Sequence, residues 1–168
     1  MLNKITSQSN IQTALEWVLK TRHNFPSNAD VWHLLFHKKT ELPNILKNLR
    51  SGYYTFSAMQ LVTNRQGEEV AIWSATDAFV LKLLTLSLQS ILPIHSSCTH
   101  IKGHGGHKAA VRQAHHWIAG GAYKFVCKTD IRAYYASIDK HQLLDLLTKY
   151  IHCPITPQLS HLKPWELV

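Results

Sequence analysis

The sequence predicts an α+β fold, and three observations lead there. Apolar residues recur at helical spacing through most of the first fifty or so positions. Two β-rich stretches, 53–63 and 68–74, flank Asn64-Arg65-Gln66-Gly67, a hairpin signal. A further apolar stretch, 123–129, reads as a buried strand that runs into Asp130. With 168 residues, 45% apolar and 17% charged, the chain has the composition of one globular domain with a sizeable core, not that of a disordered segment.

In chain order, Ser9-Asn10-Ile11-Gln12 has the spacing of a capping box and opens a helix with Ile11, Ala14, Leu15, Val18 and Leu19 on its apolar side. Pro26 and Ser27 break the chain. Residues 28–37 read as a second helix with Val31, Leu34 and Leu35 inward, and 38–50 as a third around Pro43, stopped by Gly52. After the hairpin, Thr76 is placed to cap a long helix ending near Leu92, with Pro93 as the stop. Residues 96–107 form a loop rich in Gly and His. Residues 108–118 follow as a helix closed by Gly120-Gly121, with Trp117 buried. Asp139 has Gln142 three residues on, so it reads as the N-cap of a helix with Leu143, Leu144, Leu147 and Ile151 on one face and Asp145 turned outward. Pro154, Pro157 and Pro164 interrupt regular structure beyond.

Net charge is +8, with twelve histidines in addition. A basic balance of that size points to a polyanionic partner, most simply nucleic acid. The apolar run over 78–94 is broken by Lys82, Thr85, Ser87, Gln89 and Pro93, which reads as a buried helix and gives no membrane span. Cys98, Cys127 and Cys153 contain no Cys-x-x-Cys pair, and the N-terminus has no apolar signal core, so a reduced, cytoplasmic chain is expected.

Asp130-Ile-Arg-Ala-Tyr-Tyr-Ala-Ser-Ile-Asp139 resembles motif A of the reverse transcriptases, of the bacterial retron and group II intron type. Other features stand in that family's order: Ser51-Gly-Tyr-Tyr54, the hairpin, the helix over 78–92, and Lys102-Gly-His-Gly-Gly-His-Lys-Ala-Ala110. The resemblance spans roughly residues 42–151. It implies a helical N-terminal segment (1–52), a fingers-like region (53–122), a partial palm with an incomplete antiparallel sheet (123–152) and an irregular tail (153–168), all in one compact unit. It also implies RNA-templated DNA synthesis by a nucleotidyltransferase using Mg2+ or Mn2+, with an RNA template and a DNA primer as partners. Asp130 would be the catalytic metal carboxylate, and the Ile131 carbonyl a further metal ligand. The backbone N–H groups of Ala133 and Tyr134 would meet the triphosphate, and Tyr135 would be the aromatic gate under the sugar. Without that ordered pattern, residue type favours plainer readings, with Asp130 as a helix or turn cap and Tyr134 or Tyr135 filling the core.

Two-metal phosphoryl transfer needs carboxylates from neighbouring strands. The family's aromatic-x-Asp-Asp element has no counterpart here, because the sequence contains no Asp-Asp pair. The expectation is therefore a truncated, reverse-transcriptase-like protein that is inactive alone. The fingertip strand 68–73 lacks a basic residue as well, leaving Arg65 in the turn as the nearest candidate. Single-stranded nucleic acid would still meet Lys102, Lys108, Arg112, Lys124, Lys128 and Arg132, with Lys108 and Arg112 one helical turn apart. A non-catalytic nucleic-acid-binding module is the alternative. A small metal-binding protein rests only on His95, Cys98, His100, His104 and His107, a zinc-compatible set without regular spacing. An exposed edge on the 123–129 strand would invite self-association.

Overall fold

The computed structural model describes residues 5–63, 66–101, 103–121 and 123–151. Among the described residues there are seven helices and one two-stranded antiparallel sheet, so the architecture is α+β. Lys102, Arg65, Cys153 and the tail lie outside the described residues. The chain divides into two compact units, one of them Leu92–Asp145.

Helix α1 (Gln8–Arg22) is capped by Ser7, not Ser9: Ser7 is extended (φ −67°, ψ 144°), and its hydroxyl accepts from the Asn10 N–H at 3.3 Å. Ile11, Ala14, Leu15 and Val18 are buried along one stripe, as the periodicity requires. Helix α2 (Asp30–Phe36) starts two residues later than expected. The Pro26 carbonyl accepts from the Ala29 N–H at 2.9 Å and from the Trp32 indole at 2.8 Å, which commits residues 26–29 to a turn. Val31 and Leu34 are buried. Helix α3 (Lys38–Ser51) accommodates Pro43 and ends at Gly52, whose left-handed φ of 76° lets Gly52 and Tyr53 donate to the Leu49 and Asn48 carbonyls.

Strands β1 (Gln60–Thr63) and β2 (Glu69–Ile72) pair antiparallel, Gln60 with Ile72 and Thr63 with Glu69. The hairpin stands where the sequence puts it, but β1 is shorter than the β-rich stretch. Residues 53–59 leave the sheet because Tyr54 and Phe56 turn inward. Phe56 lies 5.3 Å from the Tyr54 ring and 5.6 Å from that of Trp73.

Helix α4 (Ala75–Leu88) is the central element of the first unit, burying Ala78, Phe79, Val80 and Leu83. It packs chiefly on α1; α2 rests on both, and α3 on α2. Its cap is Ser74 and not Thr76, and it stops at Leu88, short of Pro93. The Ser74 hydroxyl accepts from the Asp77 N–H at 3.0 Å and donates to Asp77 Oδ2 at 2.7 Å. Asp77 is only 2% exposed, and it also accepts from the Tyr54 hydroxyl at 2.7 Å and from both the N–H and the hydroxyl of Ser57. At the first residue of α4, Asp30 Oδ2 accepts from the Ala75 N–H at 2.5 Å. Arg22 donates to Asp30 Oδ1 at 3.3 Å and to the Trp73 carbonyl at 2.6 Å. Asp30 and Ser74 thus satisfy two of the N–H groups that open α4, those of Ala75 and Asp77.

The second unit contains helices α5 (Gly106–Ala119) and α6 (Tyr134–Ser137), and helix α7 (Lys140–Thr148) crosses its boundary. No described residue from Leu92 onward is buried. Three expectations are corrected here. Residues 123–129 are not a buried strand: they carry no strand hydrogen bonding and are exposed, Phe125 at 91%. Among the described residues the hairpin is the only sheet, so this stretch has no neighbour to complete a ladder, and neither a palm sheet nor a sheet edge forms. Trp117 is 46% exposed instead of buried. Neither α5 nor α7 has a buried residue, so their apolar stripes are uncovered or only half-covered among the described residues.

The Tyr54 phenol gives a testable consequence. Burial, then the hydrogen bond to Asp77 and the charge of that carboxylate, push its pKa well above the usual tyrosine value. The folded state holds the proton more tightly than the unfolded chain, which ionises near pH 10. The contribution is therefore complete below about pH 10 and is lost as pH rises further. Urea unfolding should show Tyr54→Phe costing about 1–2 kcal/mol at neutral pH. The wild-type midpoint should fall more steeply than that of the variant above about pH 10; parallel pH profiles would contradict this assignment.

Candidate nucleic-acid interface

Asp130 opens the turn that carries the motif, and its exposed carboxylate accepts from the Ile131 N–H at 2.9 Å. Ala133 follows in the left-handed region (φ 51°, ψ 46°), uncommon for a residue with a side chain, and this reverses the chain into α6. The Tyr134 and Tyr135 rings sit edge to face at 5.2 Å, 52% and 87% exposed, so neither fills a core. Ser137 closes the short helix by donating from its N–H to the Ala133 carbonyl and from its hydroxyl to the Tyr134 carbonyl, both at 2.9 Å. Ile138 is extended, and Asp139 Oδ1 accepts from the His141 and Gln142 N–H groups at 2.9 and 3.0 Å. Asp139 is thus the expected helix cap. The two aspartates of the motif have different employment.

A pair of hard divalent ions does not fit this donor set. Mg2+ seeks near-octahedral oxygen ligation, and a pair needs several carboxylates. Asp130 is one carboxylate, with the Ile131 carbonyl beside it in sequence. Among the described residues, no three His, Cys, Asp or Glu side chains are gathered for a metal. In the His-rich loop, the Cys98 sulfur lies 3.6 Å from Nε2 of His100, a thiol–imidazole contact that the spacing did not single out.

The basic residues fall on two surfaces of the second unit. Lys108 and Arg112 share a face of α5 and, with His107 and Val111, line an open depression of about 380 Å³. The helix begins at Gly106 after Gly105, which has φ 87°; a Cβ added to Gly105 would stand 2.7 Å from that of Ala109. Both constraints select glycine there. Lys124, Lys128 and Arg132 are exposed along the irregular stretch and the motif turn. Interleaved with them are Tyr123 (62% exposed) and Phe125, aromatics that residue periodicity had assigned to a buried strand. Trp117 meets Tyr123 edge to face at 6.4 Å.

The split between the two aspartates can be measured. Asp139→Ala should lower the stability of α7 by about 1 kcal/mol, read as faster amide exchange over its first turn. Asp130→Ala should leave exchange there and global unfolding within about 0.5 kcal/mol of wild type. Equal effects would mean that both carboxylates serve as caps.

Compared with known protein families and with curated proteins, the chain matches none.

Proposed function

We propose that this chain is a reverse-transcriptase-like segment that holds nucleic acid through phosphate contacts, with Asp130 as the first carboxylate of a polymerase site that this sequence does not complete. The observation that carries this is the contrast within the motif: Asp130 stays exposed at a tight turn while Asp139, nine residues on, is spent on a cap. The exposed Tyr135 fits the place of a gate beneath a nucleotide sugar, and the left-handed Ala133 turn leads the chain from Asp130 to it. The cations Lys108, Arg112, Lys124, Lys128 and Arg132 are all exposed in the same unit, which suits a polyanion. Among the described residues no helix is long and apolar enough to cross a membrane, and Cys98 and Cys127 are free thiols, which is consistent with a cytoplasmic setting.

A second reading, a binding module without catalysis, is favoured by the single carboxylate. The two agree on binding and differ on what Asp130 is for. Purified chain given primer, RNA template, dNTPs and Mg2+ should give no templated product; synthesis abolished by Asp130→Ala would overturn the incomplete site. Fluorescence anisotropy with two unrelated single-stranded oligonucleotides should show similar, weak affinities that fall with salt, with a log–log slope of roughly −0.7 per neutralised phosphate. Replacing Lys108 and Arg112 together by alanine should weaken both equally and flatten the slope. Absence of binding at low salt would refute nucleic-acid binding.

A further inference from the structure

Phe125 is the most exposed of the large apolar side chains, at 91%. A phenylalanine is ordinarily buried, so its position at the centre of an exposed stretch calls for an occupant. Three features narrow down what that occupant is. The stretch 123–130 makes no backbone–backbone hydrogen bond among the described residues, so its rings stand clear of any sheet. Tyr123 is braced edge to face by Trp117 of α5, which gives the ring a settled orientation. The apolar residues Tyr123, Phe125 and Val126 are interleaved with exposed Lys124 and Lys128, and Arg132 follows.

Charge decides between candidate partners. A second copy pairing antiparallel about Val126 would set Lys124 opposite Lys128 at both ends, and like charges directly opposed are destabilising. An uncharged apolar protein face would leave both ammonium groups without a counter-charge. A single-stranded nucleic acid supplies what each residue type needs: flat π faces for the rings and phosphates for the lysines between them. A duplex does not, because its base faces are stacked on one another.

We infer that Tyr123 and Phe125, flanked by Lys124 and Lys128, form a stacking platform for unpaired bases. This rests on the nucleic-acid reading above and deepens it, making the ligand single-stranded and adding base contacts to phosphate contacts. Tyr123 and Phe125 would stack, Trp117 would position Tyr123, and the lysines would hold the backbone on either side.

The test uses the full chain and three probes of equal length: a single-stranded oligonucleotide, the same backbone with abasic sites, and a duplex. Binding should be tightest to the intact single strand. Phe125→Ala should weaken that binding by about tenfold, in line with the loss of one stacked base, and leave the abasic probe unaffected. Phe125 has no packing role, so the variant should keep the wild-type circular dichroism. Phe125→Trp should retain affinity and show fluorescence quenching with the intact strand but not with the abasic one. Equal affinity for intact and abasic probes, unchanged by Phe125→Ala, would overturn the platform and leave phosphate binding standing. Absence of binding to every probe at low salt would overturn both. A dimer that Phe125→Ala dissociates, with oligonucleotide affinity unchanged, would assign the face to a second copy instead.

Discussion

The first unit depends on how a buried carboxylate is kept in place. Asp77 sits at the start of α4 with almost no access to water, where an unsatisfied charge would be very costly. It is held by donors from three places: the Ser74 hydroxyl at its own helix cap, the Tyr54 hydroxyl, and the N–H and hydroxyl of Ser57. Beside it, Arg22 at the end of α1 reaches Asp30 at the start of α2, the Trp73 carbonyl at the base of the hairpin, and the Ser74 carbonyl. This one polar cluster ties α1, α2, the 53–57 segment and the hairpin base to the N-terminus of α4. The apolar core supplies the bulk of the burial. The cluster adds directional constraints to that burial, because Asp77 and Arg22 each bond to groups from several segments at once.

The second unit follows another logic. It has helices, capped and ended by specific residues, but no buried apolar side chain among its described residues. Its local structure is set by short-range devices: Gly105 before α5, Gly121 after it, the left-handed Ala133, Ser137 closing α6 and Asp139 opening α7. Side chains that a core would have consumed are therefore presented outward, aromatics and cations together.

The thiol–imidazole contact of Cys98 with His100 and the ring pair of His33 with His37, at 4.2 Å, are the other clusters of chemically able side chains. Neither gathers a third ligand among the described residues. They are surface features of a chain rich in histidine.

Local patterns in the sequence determined the helices that bury a stripe, the hairpin, the Gly52 stop and the Asp139 cap. These depend on periodicity and on side chains reaching backbone groups within three or four residues, and both are written in the order of amino acids. Cap choice was less legible, because Ser7 competes with Ser9, and Ser74 with Thr76, within one turn; the winner is the residue whose backbone is extended in the folded chain. The long-range roles of Asp30 and Asp77 were not legible, since the Ala75 N–H lies 45 positions from Asp30, and Tyr54 and Ser57 lie 20 or more positions from Asp77. At the candidate site, the motif residues and the basic positions came from the sequence, whereas the exposure of Phe125, Tyr134 and Tyr135 came only from the structure. A strand is stable only with a neighbour, and periodicity cannot tell whether one is present. The residues 123–129 have strand composition and no strand, because among the described residues no neighbouring strand pairs with them.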